Sequence, residues 1–325
     1  DIKLAVITSP TYEGVISDVK SISHILHSIH IPLIVDEAHG SHLGLSGGFP
    51  ASALASGADI VINSLHKTLP SLTQTALMHI KGNLVCDDKI KHSVNIFQSS
   101  SPSYILMASI DNCIRFLTRD GEDLFLKFIK RLDSFYNSLI DMENFELFLP
   151  DTCTEVFAFD KSRLVILCKN TDYTGKKLMN TLQKDYGLQL EMSAPNYALA
   201  ITGICDTDNS FDVLKTALKS VDRQTVYTAG KNKNYSVPPI LCQEINPGKA
   251  INIDGRSISF DECAFKFSQE YVWMYPPGIP IIVPGQRVTQ EVIDYLLSIS
   301  QIGGEINSTS GGMPYTLKVI NQTLI

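Results

Sequence analysis

The sequence predicts an α/β protein built on a parallel sheet, and three observations carry that reading. Leu33-Ile34-Val35-Asp36 and Ile60-Val61-Ile62 are short, β-branched apolar runs followed by polar residues, which is how strands buried in a parallel sheet read. Between residues 4–7, another such run, and Leu33, the residues Val15, Val19, Ile22, Leu26 and Ile29 fall at helical spacing. Strand, helix and strand thus follow one another with short links, as in a parallel pair joined by a crossover. From Phe145 onward short strands and helices alternate, which suits a smaller α+β domain.

In order along the chain, Pro32 ends the first helix and the Asp36 strand follows. His24, His27 and His30 form one stripe of that helix and read as polar-face residues, with a metal site as the other possibility. Residues 41–50 are a Gly-rich loop, 51–56 a short helix, and 75–80 a further strand. Helices are expected over 87–97, 104–117 and 122–142. The last carries an apolar stripe of Leu124, Phe128, Leu132, Phe135 and Leu139. Strands are predicted over 165–168, 188–192 and 197–202, with helices over 175–186 and 211–221. Residues 229–234 read as a polar linker. Tyr275-Pro276-Pro277-Gly278-Ile279-Pro280 makes a rigid turn before the apolar run 281–283, and a final helix spans 290–299 with Glu291 in its first turn.

Composition bounds the function. The chain has 325 residues, 44 % hydrophobic and 19 % charged, room for a large core. No apolar run approaches the ~20 residues of a membrane helix, so no membrane partner is expected. A formal net charge of -7 is a poor start for gripping a phosphate backbone, so neither is nucleic acid. Seven scattered cysteines without a Cys-x-x-Cys pair read as reduced and cytoplasmic. Residue 1 is Asp and no basic leader precedes the strand at 4–7, so the chain is expected to begin inside a domain.

The chemistry gathers at two strand ends. Asp36 closes one buried strand, and Lys67 lies just past the next in Ser64-Leu65-His66-Lys67. Both fall at the sheet edge where open α/β folds bind ligands. A buried carboxylate favours a proton on a pyridine nitrogen, and a desolvated lysine amine attacks aldehydes. The pair therefore reads as a pyridoxal phosphate site, with Lys67 as the Schiff base, Asp36 facing the ring nitrogen, and Ser64 and His66 offering donors to the phosphate. Two other readings compete. Asp36-Glu37-Ala38-His39 spells a helicase box, which requires a Gly-rich loop ending in Gly-Lys-Ser/Thr. The Gly-Lys pairs at 175, 230 and 248 lack the Ser or Thr. Asp36, His39 and His42 could ligate a metal, but no second ligand cluster follows.

Taken in order, Thr8-Ser9-Pro10-Thr11-Tyr12-Glu13-Gly14, Val35-Asp36-Glu37-Ala38-His39-Gly40, the run from Ser64 to Gln74, and Tyr275-Pro276-Pro277-Gly278-Ile279-Pro280 resemble the Orn/Lys/Arg decarboxylase family. The likeness is to its shorter bacterial group, which includes biosynthetic arginine decarboxylases. The resemblance implies a fold-type I, aspartate-aminotransferase-like large domain over 1–143, incomplete at its N-terminal side. A small α+β domain over 144–228 and a C-terminal decarboxylase-family domain over 229–325 would follow. It implies pyridoxal 5'-phosphate as cofactor, Lys67 and His39 as catalytic residues, and Asp36, Ala38, Ser64, His66 and Lys67 as cofactor-binding residues, with no metal. Ala38 would pack under the ring and His39 would lie near it. Loop 68–74 would lie close to a homodimer interface.

The implied reaction is decarboxylation of a basic amino acid, arginine to agmatine ahead of lysine or ornithine. The alternative is a non-catalytic remnant serving as an interaction or structural subunit. Two departures stand out. The family's upstream segment, with its phosphate loop and stacking ring, is absent, so the chain alone is expected to be catalytically weak. Pro284-Gly285-Gln286 stands where the family usually has Pro-Gly-Glu, removing a carboxylate that could read a basic substrate. Glu37 and Glu270 are the other candidates for that task, unless they are solvated or capping acids.

Overall fold

The computed structural model describes residues 2–150, 155–228, 237–275, 278–301 and 304–321. The predicted linker at 229–234, and Pro276 and Pro277 of the predicted turn, lie outside the described residues.

The chain opens with β1 (Ala5–Thr8), β2 (Val15–Ile16), α1 (Val19–Ser28), β3 (Leu33–Asp36), β4 (Ile60–Ser64), α2 (Leu65–Thr68) and β5 (Ala76–Ile80). Four strands form a sheet in the order β1-β3-β4-β5. β1, β3 and β4 run parallel, and β5 is antiparallel at the edge. Side chains alternate between the faces of a strand. Leu33, Val35 and Val61 therefore turn to one face, where they pack with Val19, Ile22 and Leu26 of α1 and with Ala53 and Ala58. Asp36 belongs to the opposite face, in register with Thr8 and Ile62, and Ile62 in turn with Met78. Asp18 caps α1, accepting from Ser21 N at 3.0 Å. His27 is more than a polar-face residue: its Nε2 donates to buried Asp59 at 2.8 Å, and the same Asp59 oxygen accepts from Leu33 N at 2.8 Å.

Next come α3 (Asp87–Phe97), α4 (Tyr104–Ser138), β6 (Phe145–Leu147), β7 (Ala158–Phe159), β8 (Arg163–Cys168), α5 (Gly175–Tyr186), β9 (Met192–Ser193), β10 (Tyr197–Ile201) and α6 (Asp208–Gln224). The order of the second sheet is β6-β8-β10-β9, and β2 pairs antiparallel with β7. Three expectations are corrected. The two helices expected over 104–142 are one, α4. Gly121 lies inside it at a cost of roughly 1 kcal/mol relative to alanine, which is outweighed by burying Phe125, Phe128, Leu132 and Phe135 on the same helix. Residues 51–56 form turns rather than a helix, and Gly57 N and Ala58 N close the segment on Leu54 O and Ala53 O at 3.4 and 3.0 Å. The strand expected over 188–192 shrinks to β9, because Leu188 N closes the end of α5 on Leu182 O at 3.0 Å.

The last elements are α7 (Pro247–Ala250), β11 (Gly255–Ser259), β12 (Val272–Met274), β13 (Pro280–Ile282), α8 (Gln290–Gln301), β14 (Ile306–Ser308) and β15 (Thr316–Ile320). β11 pairs with β15, and β12 lies between β13 and β14, all antiparallel. The chain divides into two compact units. Residues 1–167 and 199–226 form one, and 168–198 and 227–325 the other. In the first, α6 packs on α4, with the Phe135 and Phe211 rings 5.2 Å apart and edge-on. In the second, Val292, Leu296 and Ile299 of α8 join Phe260, Val272, Ile282 and Leu317 in one apolar core. Among the described residues no helix is long and apolar enough to cross a membrane.

Candidate active site

Strand β4 delivers Ser64 to its last position, and the chain turns at once into α2, a single helical turn carrying His66 and Lys67. Asp36 closes β3 beside it, and Ala38 and His39 lie in the turn that follows. The adjacent ends of two parallel strands thus present the sequence-predicted residues at one sheet edge, as their order requires. Lys67 and His39 come together: Lys67 Nζ donates to His39 Nε2 at 2.9 Å. Asp36 Oδ1 accepts from Ala38 N at 3.0 Å, which turns the chain away from the strand. His66 Nδ1 donates to Thr75 O at 2.9 Å, so its Nε2 can donate to an anion only in the imidazolium form. Ser64 contributes its carbonyl to Ser41 Oγ at 2.8 Å.

His39 is the best-determined member of the set. The Tyr12 ring lies 4.4 Å from its ring, tilted by 46°. Gly40 follows at a place with no room for a side chain, since a Cβ there would stand 2.6 Å from Pro10 Cδ. Burial first, then the cations Arg163 and Lys67, hold the imidazole pKa down to about 3. His39 is therefore neutral at physiological pH. With Nε2 accepting from Lys67, the ring proton sits on Nδ1, which is buried and has no hydrogen-bond partner among the described residues. Thr68 Oγ1, next to Lys67, is buried and unpartnered in the same way. Buried polar atoms normally find partners, so two unmet groups beside an amine and a strand-end carboxylate fit a polar ligand at this edge. An amine for an aldehyde, a carboxylate for a ring nitrogen, and a hydroxyl with an imidazolium donor for a phosphate are the donor set that pyridoxal phosphate needs.

Other sequence candidates are placed differently. Glu37 is buried beneath the turn, where Oε1 accepts from Ala53 N at 2.7 Å and Oε2 from Asn63 Nδ2 at 3.1 Å. Burial pushes its pKa up to about 7 against those two bonds. Glu270 is also buried, its oxygens taken by Ser310 N and Lys318 N at 2.7 Å each. Neither acid is solvated. Asp36, His39 and His42 do not assemble as metal ligands, and no group of three metal-capable side chains exists among the described residues. His42 Nε2 instead stands 3.2 Å from Asp160.

Sequence reasoning missed a buried polar cluster on the turn before β8. Asp160 Oδ1 accepts from Ser162 N and Oγ at 2.9 and 2.7 Å, while Oδ2 faces His42 Nε2 and, at 3.5 Å, Arg163 Nε. Burial alone would raise the Asp160 carboxyl, but His42, Arg163 and Ser162 hold it below the usual carboxylate range. Arg163 Nη2 donates to the His39 carbonyl at 2.5 Å. The one sequence signal was Asp160-Lys161-Ser162-Arg163 itself, two opposite charges three residues apart at the mouth of a buried strand.

Residues 1–172 match the Orn/Lys/Arg decarboxylase major domain, and residues 245–306 match the C-terminal domain of the same family. The chain belongs to the Orn/Lys/Arg decarboxylase family. It is 29 % identical over 328 residues to the arginine decarboxylase of Bacillus anthracis, covering 99 % of this chain and 66 % of that relative. The solved lysine decarboxylase of Francisella novicida superposes with a TM-score of 0.80 at 19 % identity, covering 98 % of this chain and 57 % of that one. The alanine–glyoxylate aminotransferase of Nostoc sp. superposes with a TM-score of 0.53 at 14 % identity, covering 67 % of this chain and 61 % of that one. The fold is accordingly the fold-type I α/β architecture of these enzymes. The chain spans slightly under two thirds of the length of the curated relative and just over half that of the lysine decarboxylase.

Proposed function

We propose that this chain carries the pyridoxal-phosphate site of a decarboxylase acting on a basic amino acid, with arginine, yielding agmatine, ahead of lysine or ornithine. The observation that carries the reading is the Lys67–His39 pair at the β3–β4 edge of a family member. The Bacillus relative's name favours arginine. Lys67 would hold the cofactor covalently, Asp36 would face its ring nitrogen, Ala38 would lie under the ring, and Ser64 and His66 would take the phosphate. When bound, pyridoxal phosphate supplies the sink for the electron pair left when carbon dioxide departs. The protein's own part is to hold the substrate at the Lys67 edge, exclude water, and return one proton to the α-carbon. Lys67 Nζ or the His39 ring, hydrogen-bonded to each other, would deliver that proton.

A homodimer fits the same reading. Ile96 and Phe97 at the end of α3, and Tyr104, Ile105 and Met107 at the start of α4, are exposed apolar side chains of the kind a second copy covers. The six described cysteines form no disulfide, which suits the cytoplasm.

The test is an absorption spectrum of the chain mixed with pyridoxal phosphate, beside Lys67→Ala, followed by assays of carbon dioxide release from arginine, lysine and ornithine. A visible band lost in the variant is expected. Equal spectra for both proteins would overturn the assignment of Lys67.

A further inference from the structure

Arg163 and Asp160 have no role in the scheme above, yet both are fully buried. An internal ion pair gains little over apolar packing of the same volume, so an arginine kept there needs another account. What a guanidinium brings, and a leucine would not, is a donor and a positive charge. The donor reaches the His39 carbonyl, 124 residues away in sequence. The charge acts on the His39 ring, favouring the neutral imidazole whose Nε2 accepts from Lys67.

The surroundings are shaped to hold this arginine. Gly14 has φ +102°, and a Cβ there would lie 2.8 Å from Arg163 Cγ, so only a glycine lets the stem rest against that backbone. Gly14 O accepts from Asp160 N at 2.9 Å, and Val15 and Ile16 pair with Phe159 and Ala158. The loop that carries Tyr12 onto the His39 ring is thereby fastened to the Arg163 turn. His39 is gripped at its carbonyl by Arg163, at its ring face by Tyr12 and at Nε2 by Lys67.

We propose that Arg163, held by Asp160, is a positioning residue for Lys67: its bond to the His39 carbonyl fixes the imidazole that receives the Lys67 amine. The inference rests on Lys67 being the cofactor lysine.

Two readouts separate it from that reading. The first is the rate at which pyridoxal phosphate and borohydride label Lys67, followed by peptide mass. The second, needing no cofactor, is the set of His39 ring signals in histidine-labelled protein, assigned with His39→Gln. The double variant Asp160→Asn/Arg163→Met leaves neither charge buried alone. It is expected to fold, to shift the His39 signals, and to label Lys67 about tenfold more slowly or worse, as small misplacements of reacting groups do. Arg163→Lys, which keeps a donor and a charge, should recover most of the rate. A folded double variant with wild-type His39 signals and wild-type labelling would overturn the proposal. Should that variant not fold, Arg163→Gln is read by the same two signals with the same expectations. If the wild-type chain itself is not labelled at Lys67, the cofactor reading fails, and the His39 signals alone decide whether Arg163 positions the imidazole.

Discussion

The site edge of the first unit and the core of the second use polar side chains differently. At the β3–β4 edge, titratable groups meet one another: Lys67 with His39, and Asp160 with His42 and Arg163. In the second unit, polar side chains serve the backbone. Buried Glu270 accepts from Ser310 N and Lys318 N, and half-buried Gln286 accepts from Val283 N at 2.8 Å and donates to Leu241 O at 3.2 Å. A side chain that satisfies the backbone holds a fold, and its energy is spent there. Side chains that satisfy each other leave atoms such as His39 Nδ1 for something else. The contrast also gives a structural reason for glutamine at position 286. Its amide both accepts and donates, and a carboxylate cannot donate to the Leu241 carbonyl.

The largest break in this contrast comes from Lys67→Ala. It should abolish labelling by pyridoxal phosphate while changing stability by less than about 1 kcal/mol, because a half-buried site-edge lysine carries little of the fold. Spectra and urea unfolding read both numbers. Glu270→Ala should do the reverse. Two half-buried backbone N–H groups lose their charged acceptor, at a cost of about 2 kcal/mol, with Lys67 labelling unchanged in the folded protein.

Glu37 sharpens the comparison through pH. Its pKa is about 7 in the fold against 4.5 for an ordinary glutamate. Between those values the folded chain holds a proton that the unfolded chain has released, so stability falls as pH rises through the window. At about 1.4 kcal/mol per pH unit the loss is roughly 3 kcal/mol. Glu37→Gln should flatten that slope in unfolding measured at pH 5 and pH 7.5. A smaller effect of similar logic belongs to Gln286→Glu, which sets a carboxylate against the Leu241 carbonyl and should cost about 1–2 kcal/mol.

His39 supplies an effect of the opposite sign. Its pKa is held below the usual 6.5 in the fold, so the unfolded chain binds the extra proton first and acid removes stability as pH falls from 6.5 toward 3. His39→Gln should lessen that acid sensitivity in melts between pH 4 and 7.

Local pattern carried much of this in the sequence. The apolar runs at 33–36 and 60–62 are β3 and β4, the helix predicted over 175–186 is α5, and Asp36 and Lys67 end and follow their strands where the runs stop. What escaped is what depends on distant partners. Gly121 looks like a break between helices because its neighbours in sequence say nothing of the buried phenylalanines that keep α4 continuous. His27 looks like a surface residue until Asp59, 32 residues away, is seen beneath it. Arg163 falls outside the strand predicted over 165–168, and its contact with His39 appears only once β8 is in place.

The seat of Arg163 against Gly14 also decides how this protein can be recombined. A chimera cut at the end of α4 would take residues 9–40 from one parent and 158–163 from another. Unless the donor also has glycine at 14 and a long basic residue at 163, the junction meets a clash or a hole. Moving the crossover past residue 226 keeps both halves of the contact, and the packing of α6 on α4, in one inheritance.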